Sequence, residues 1–436
     1  MQEDFRPWTW KPPEGVTPVD NDKLRQDAHD KLSGQAVFTR DVQLPGMLYA
    51  KILTSPYAHA KIASMDTGKA EELEGVRDVL RFDDPDIEFE NSTGGYCSSQ
   101  YNILALPRTG DFFQHPMGVA VVADSEEVCD QALRLIEIEW EEIPFILDME
   151  ESLKPEAPKI MPEIWRLSQK AEEPNVVNTS TTVIGDIEEG FAEAEKVIEY
   201  TVTRAPNTTA GVEAMACVAL WRGDFLDIWP HHTAHMQPVL ASPSPMRSGL
   251  SWVSLLSQPI PKDDPDSKET GRNRTLPAIC DHNKITVTVP FQGAWYGGLA
   301  WLGYSTAFIR MAAILAKRAK DRPVKLIYDE SNFYLTGDDA GTYRCRIGAK
   351  EDGTITACDW RVTGPFGELH IDKTHESTKI QNMRNIQEWA LINQGHHICF
   401  RHGAHCCAPH NVMIDKVAAE LGLDPTEVAL KNDGCK

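Results

Sequence analysis

The chain has 436 residues, 42% of them hydrophobic, and a formal net charge of −22 at pH 7. That length allows two or three domains around large buried cores. The negative balance argues against nucleic acid or an anionic membrane surface as a partner, and no stretch approaches the roughly 18 consecutive apolar residues of a membrane span.

Residues 1–26 are rich in Pro, Trp and charge and read as an extended arm. Met1-Gln2-Glu3-Asp4-Phe5 lacks a basic segment followed by an apolar one, so a cytoplasmic location is expected. The 10 cysteines are scattered and form no Cys-x-x-Cys. They read as reduced thiols, not as a zinc ribbon or an iron–sulfur run.

From 27 to 150 the pattern is α+β. Val42 to Leu48 reads as a short strand and a turn, Tyr49 to Leu53 as a second strand, and Glu71 to Glu74 as a short helix ending at Gly75. Asp124-Ser125-Glu126-Glu127 is a candidate capping box opening a helix with Val128, Ala132 and Leu135 inward. Ile136 to Trp140 then alternates as a strand. Residues 151–182 read as a Pro- and Glu-rich linker. A second domain, 183–436, opens with an acidic helix (Asp186 to Ala194) and a strand (Lys196 to Thr203). Residues 242–283 carry Pro among Ser, Asp and Lys with little periodicity, as a long insertion does.

Lys284 to Val289 alternates as a strand, and Ala307, Phe308, Met311, Leu315 and Ala319 recur at helical spacing from Tyr304 to Lys320. Between them lies Phe291-Gln292-Gly293-Ala294-Trp295-Tyr296-Gly297-Gly298-Leu299. Glycines there let backbone approach a bulky ligand, and the helix start beyond offers N–H groups to an oxyanion. Taken alone, such a turn is more often a tight connection than a cofactor site. It is neither a P-loop nor a dinucleotide fingerprint. Further on, Pro323 to Asp329 reads as a strand. Tyr343 to Ala349 and Thr354 to Val362 form a hairpin about Asp352-Gly353. Val412 to Leu421 is helical with Gly422 as its stop, and Asp424-Pro425 caps a last helix.

In this order a family becomes legible. Gly34 to Asp41, Leu44-Pro45-Gly46-Met47-Leu48, Ser55 to Ile62, Gly75-Val76 and Val121 to Ser125 resemble the α/β hammerhead domain that opens the molybdenum subunit of the xanthine dehydrogenase / aldehyde oxidase family. Pro323-Val324-Lys325, Gly348-Ala349-Lys350, Asp352-Gly353-Thr354, Leu421 to Pro425 and Leu430-Lys431-Asn432 resemble the first molybdopterin-binding domain that comes after it. The resemblance implies an α+β fold of those two domains. It also implies one half of a split large subunit, similar to the nicotinate-dehydrogenase type, because the family's Gly-x-Gly-Glu segment with its catalytic base is absent. That base is then expected on a partner chain.

The same resemblance implies a molybdenum–molybdopterin cofactor, in its cytosine dinucleotide form, shared with a second molybdopterin-domain subunit. Iron–sulfur centres and FAD would belong to other subunits. Trp295, Tyr296, Gly297 and Gly298 keep part of the family's glycine turn, while Leu299 replaces its lysine. His231 falls where a glutamine often bonds the metal's oxo ligand, and a histidine there can also carry a proton near neutral pH. Glu213 matches a segment of the pocket wall, with a satisfied buried carboxylate as the equal alternative. Ala404, His405 and Cys406 lie in Arg401 to His410, read with His396 and His397 as a polar, histidine-lined pocket, with a merely structural loop as the equal alternative; the family's arginine and aromatic there are lost. Asp338-Asp339 replace a basic pair. His231, Glu213 and His405 are the candidates for residues around the reacting centre. A separate metal site at His231, His232 and His235 is the weaker reading, and no metal ligands are assigned. The implied activity is that of an oxidoreductase subunit hydroxylating a small, aromatic or heterocyclic molecule. Reductive dehydroxylation, non-redox hydration or transhydroxylation, or a cofactor-free scaffold remain the alternatives.

Overall fold

The computed structural model describes residues 27–53, 56–57, 60–81, 84, 119–158, 175–204, 215–231, 280, 284–288, 291, 302–328, 336–337, 341–364, 378–390, 392, 396–397 and 402–434. Its strands are β1 (Leu48–Leu53), β2 (Ala60–Asp66), β3 (Val76–Arg81), β4 (Val119–Ala123), β5 (Glu137–Glu142), β6 (Val176–Ile184), β7 (Lys196–Arg204), β8 (Ala216–Arg222), β9 (Phe225–Pro230), β10 (Ile285–Val287), β11 (Val324–Ile327), β12 (Thr336–Gly337), β13 (Gly341–Ala349), β14 (Ile355–Gly364), β15 (Asn382–Ala390) and β16 (His396–His397). The fold is α+β, with two main sheets.

The larger sheet has seven strands in the order β10-β9-β8-β11-β1-β4-β3. It mixes strands from the two ends of the chain: β1 pairs in parallel with β11, Leu48 opposite Val324, and antiparallel with β4. One face is closed by the helix Leu302–Arg318, whose Ile309, Met311, Ala312, Ala313, Leu315 and Ala316 are buried against Ala50, Cys217, Ala219 and Leu326. The other face carries the helix Glu126–Leu135, seated through Cys129 and Ala132 on Val121 and Ala123. Ser125 caps that helix by accepting from the Val128 amide, as its sequence predicts. Arg318, in the last turn of the long helix, binds Asp78 of β3 through two bonds of 2.5 and 2.8 Å and Asp84 through one of 3.0 Å.

Val42 to Met47 forms no strand. Thr39–Asp41 is a 3₁₀ turn, and Pro45-Gly46 reverses the chain with Gly46 at φ +70° before β1 begins. The alternating apolar residues there serve a turn, since Val42 and Met47 pack on Val218. The short helix is Gly68–Glu71, one turn earlier than its apolar spacing suggests, and Gly75 at φ +93° comes after it.

The second sheet has the order β6-β15-β14-β13-β7. Its β6 begins at Val176, inside the stretch read as a linker. The β13–β14 hairpin turns at Asp352-Gly353 with Gly353 at φ +85°. Two C-terminal helices, His402–Leu421 and Pro425–Asn432, cover one face. Met413, Ile414, Val417, Ala418 and Val428 are buried there against Ile347, Cys358 and Met383.

Asn432 ties the last helix to the hairpin. Its amide donates to the carbonyls of Gly353 and Val428 at 2.9 and 2.8 Å, and its oxygen accepts from the Ile355 amide at 2.9 Å. The side chain is 3% exposed, so each bond is made away from water. Asn432→Ala strands an amide and a carbonyl of the hairpin and is expected to cost about 2 kcal/mol. Urea unfolding of the variant measures it.

Candidate functional site

The pairing pattern decides where loops gather. β1 and β11 run parallel, β8 opposes β11, β9 opposes β8, and β10 runs parallel with β9. On the other side β4 opposes β1 and β3 opposes β4. So β1, β3, β9, β10 and β11 deliver their carboxyl ends to one end of the sheet, and β4 and β8 start there. Crevices beyond the carboxyl ends of strands are where such sheets receive ligands. Residues 205–214 join this end to β7 of the second sheet, and residues 329–335 join it to β12, which precedes β13 of that sheet and pairs apart from it with β16.

His231 sits at this end, immediately after β9, and is 6% exposed. Burial pushes its imidazolium down to about 4. The expectation that it carries a proton near neutral pH is therefore corrected: at pH 7 this ring is neutral and has one N–H to donate. Thr39 braces the same place, its hydroxyl donating to the Pro230 carbonyl at 2.9 Å. Phe38 meets Phe291, the first residue of the glycine stretch, with ring centroids 6.1 Å apart. β10 hands the chain on through the Thr288 amide, which donates to the Ile228 carbonyl at 2.9 Å.

Both long helices aim their starts toward this region. Trp221, at the opposite end of the sheet, donates through Nε1 to the Ala313 carbonyl at 2.8 Å. Leu302 then lies about 16 Å back along the axis, at 1.5 Å per residue, toward the glycine stretch. Lys196, at the start of β7, holds the Glu420 carbonyl at 2.7 Å, while Met413 lies on Cys358 at 3.7 Å. The first turns of that helix thus point toward the Arg204 end of β7, from which the chain leads to β8. The segment Arg401 to His410 is accordingly not a loop: from His402 onward its backbone is helical, ten residues ahead of the predicted start. Ala404, His405 and Cys406 occupy its first two turns.

His410, half-buried on the same helix, is also held toward its neutral form by burial, and its Nδ1 has no hydrogen-bond partner among the described residues. In the sheet beneath, Trp360 pairs with Asn385, and the Trp360 Nε1 and both amide atoms of Asn385 are buried with no partner among the described residues. Each such group costs about 1–3 kcal/mol unless something completes it. β16 pairs in parallel with β12, setting the backbone of His396 beside Thr336 and that of His397 beside Gly337.

Trp295, Tyr296, Gly297, Gly298, Leu299, Glu213, His232, His235 and Asp338-Asp339 lie outside the described residues. Among the described residues no group of three His, Cys, Asp or Glu could hold a metal ion. No helix of the described residues is long and apolar enough to cross a membrane.

One buried charge was not foreseen from the sequence. Lys325, in the middle of β11, is 0% exposed, and its ammonium donates to the Arg40 carbonyl at 2.7 Å. Arg40 in turn forms two bonds of 2.6 and 2.7 Å with Glu126. The Phe38-Thr39-Arg40-Asp41 and Pro323-Val324-Lys325 motifs, far apart in the chain, are thus two sides of one contact behind the loop-bearing end. The signal was a lysine between two apolar strand residues.

Two family models match. The aldehyde oxidase and xanthine dehydrogenase a/b hammerhead domain matches residues 33–144, and the molybdopterin cofactor-binding domain matches residues 278–433. A probable xanthine dehydrogenase subunit from Bacillus subtilis is 26% identical over 429 residues, covering 94% of this chain and 50% of that one. The nicotinate dehydrogenase large molybdopterin subunit of Eubacterium barkeri is 23% identical, covering 94% of this chain and 88% of that subunit. In fold, the chain is similar to quinoline 2-oxidoreductase from Pseudomonas putida 86, with a TM-score of 0.68 and 20% identity over 95% of this chain and 50% of that one. The chain therefore spans about half the length of several proteins it resembles.

Proposed function

The chain belongs to the xanthine dehydrogenase and aldehyde oxidase family, and on that premise we propose that it forms one wall of a molybdenum–pterin cavity completed by a second polypeptide. The observation that carries this reading is the convergence of five strand ends, two helix starts and a neutral buried His231 on one end of the molecule. The residues present fit such a group. Helix starts offer unpaired N–H groups to phosphate oxygens, and a neutral imidazole can donate to an oxo group without adding charge. The Nδ1 of His410, buried without a hydrogen-bond partner among the described residues on one of those helices, is a further group that such a cavity would complete.

When bound, the molybdenum–pterin group supplies two-electron redox chemistry at a carbon centre. This chain's residues bind and orient it: Gly297 and Gly298 through backbone amides, Trp295 and Tyr296 beside them, and Ala404, His405 and Cys406 from the start of the long helix. His231, Glu213 and His405 are the residues assigned around the reacting centre, and the base is assigned to the partner. The apolar Leu299-Ala300 favours a less polar aromatic or heterocyclic substrate over a purine, whose ring edges carry more hydrogen-bonding groups. Electrons leave through an iron–sulfur subunit and a flavin subunit. The cytosine dinucleotide form is the pterin assigned. The match to the Eubacterium subunit, over 88% of its length, supports a divided large subunit.

The test is the metal and pterin content of the complex purified from its native source, followed by turnover in ¹⁸O-labelled water. Molybdenum with pterin, and label in the product, are expected. Label-free product would favour reductive dehydroxylation, and a complex without metal or pterin would reduce the chain to a scaffold.

A further inference from the structure

The backbone that carries His231 is held at its last strand residue by a side chain of the hammerhead domain. On one flank of β9 the ladder with β10 ends at Ile228, whose partner is Val287 and whose carbonyl accepts from the Thr288 amide at 2.9 Å. On the other flank the last pair is Cys217 with Pro230. Proline has no N–H, so the chain leaves the sheet with only a carbonyl to be held. The Thr39 hydroxyl holds it, donating at 2.9 Å from 191 residues earlier in the sequence. Thr39 is 0% exposed, so the bond is made away from water, where a hydrogen bond is electrostatically stronger.

The donor is itself fixed. Thr39 opens the 3₁₀ turn Thr39–Asp41. That turn is closed by the Asp41 amide, which donates to the Phe38 carbonyl at 2.9 Å, and by the Phe38 amide, which donates to the Asp41 carboxylate at 2.9 Å. From β11 the Lys325 ammonium donates to the Arg40 carbonyl, and Glu126 holds the Arg40 guanidinium by two bonds. Val42 and Met47, just beyond the turn, seat the chain on Val218 of β8, with Trp229 of β9 packed alongside. The branched Cβ of threonine restricts its rotation, so the hydroxyl direction is set once the backbone is. The same turn reaches a second segment: the Phe38 ring lies 6.1 Å from that of Phe291, where the glycine stretch begins. A turn pinned to β8, β11 and the helix Glu126–Leu135 thus meets both chain segments that lead to candidate cofactor residues.

We propose that Thr39 is a positioning residue for the cofactor wall: its bond to the Pro230 carbonyl sets the direction in which the His231 imidazole leaves β9. The proposal rests on the reading that His231 faces the pterin group. Thr39 acts through the Pro230 backbone and not by meeting the cofactor. A donor is useful only where its supporting shell holds it in place, and a displacement of about 1 Å can cost about a hundredfold.

The experiment compares the native complex with variants of this chain. Thr39→Val and Thr39→Ala remove the hydroxyl donor, Thr39→Ser keeps it, and thermal unfolding checks that each full chain folds. Pterin release during dialysis is followed by the fluorescence of the oxidised pterin, with and without His231→Leu. Ring signals of the full chain labelled with ¹⁵N-histidine, His231 being assigned by His231→Gln, report the imidazole without any cofactor. Thr39→Val is expected to release pterin about tenfold faster and to shift the His231 signal, with Thr39→Ser close to wild type in both. On top of His231→Leu, Thr39→Val is expected to add little, because it acts through that ring. Equal acceleration in both backgrounds, an unmoved His231 signal, or a serine variant no better than the valine one overturns the proposal. A wild-type complex without pterin would instead sink the reading of the site, and the ring signal would still decide the role of Thr39.

Discussion

Lys325→Ala is expected to destabilise the protein by about 3 kcal/mol, whereas Lys325→Met is expected to be close to neutral. Both variants remove the bond to the Arg40 carbonyl. The alanine also leaves a void in the middle of the seven-stranded sheet, while methionine fills most of the stem's volume. Against the lost bond stands a relieved cost, since burial, with the nearby Arg40 charge, pushes the Lys325 ammonium down to about 8. Its folded pKa lies below the unfolded one, so the folded protein disfavours the charged form. That penalty is fully present below about pH 8 and is released as pH rises toward 10.5. Wild type should therefore gain about 2 kcal/mol on Lys325→Met between pH 7 and about pH 9.5. Urea midpoints of the two proteins at both pH values measure the difference. Parallel curves would show that the ammonium reaches water.

His231 sets the corresponding behaviour in acid. Its folded pKa of about 4 lies below the ordinary histidine value of 6.5, again through burial alone. The fold disfavours the charged ring relative to the neutral one. Stability from this group is present above about pH 6.5 and is lost as pH falls toward 4. At about pH 4.5 the loss amounts to roughly 2.5 kcal/mol. His231→Gln, which keeps an N–H donor and removes the titration, should lose that much less between pH 7 and pH 4.5. Equal acid losses in the two proteins would place the imidazole in contact with solvent. The same pair of proteins bears on the pocket: a glutamine donor should retain bound pterin, where His231→Leu should not.

Much of the fold could be read from residues whose chemistry acts locally. Asp352-Gly353 announces a hairpin because glycine takes the positive φ required there. Ser125 and Asp424 announce helix starts because their side chains accept from amides one turn on. The misses share a cause: long-range packing overrode a local signal. Val42 and Met47 are apolar because a distant strand covers them, not because they alternate in a sheet. The start of the helix His402–Leu421 is hidden by Gly403 and by Pro409, which normally interrupts a helix interior. What stabilises it is the burial of Met413, Ile414, Val417 and Ala418 further on. Around the candidate site, the end of a strand just before His231 could be read from Trp229-Pro230, but the burial of the ring could not. Enclosure depends on what Thr39 and β8 bring from elsewhere in the chain.

The parallel pairing of Leu48 with Val324 has a consequence for how this polypeptide comes into being. As the ribosome releases it from the N-terminus, β1 emerges long before the strand it must lie against. Until then one border of the half-built sheet displays open amides and carbonyls to every neighbour. The N-terminal portion is therefore no interchangeable cassette. Severed from β11, it would be expected to clump, and in the cell it calls for a chaperone's cover until that distant strand has been translated.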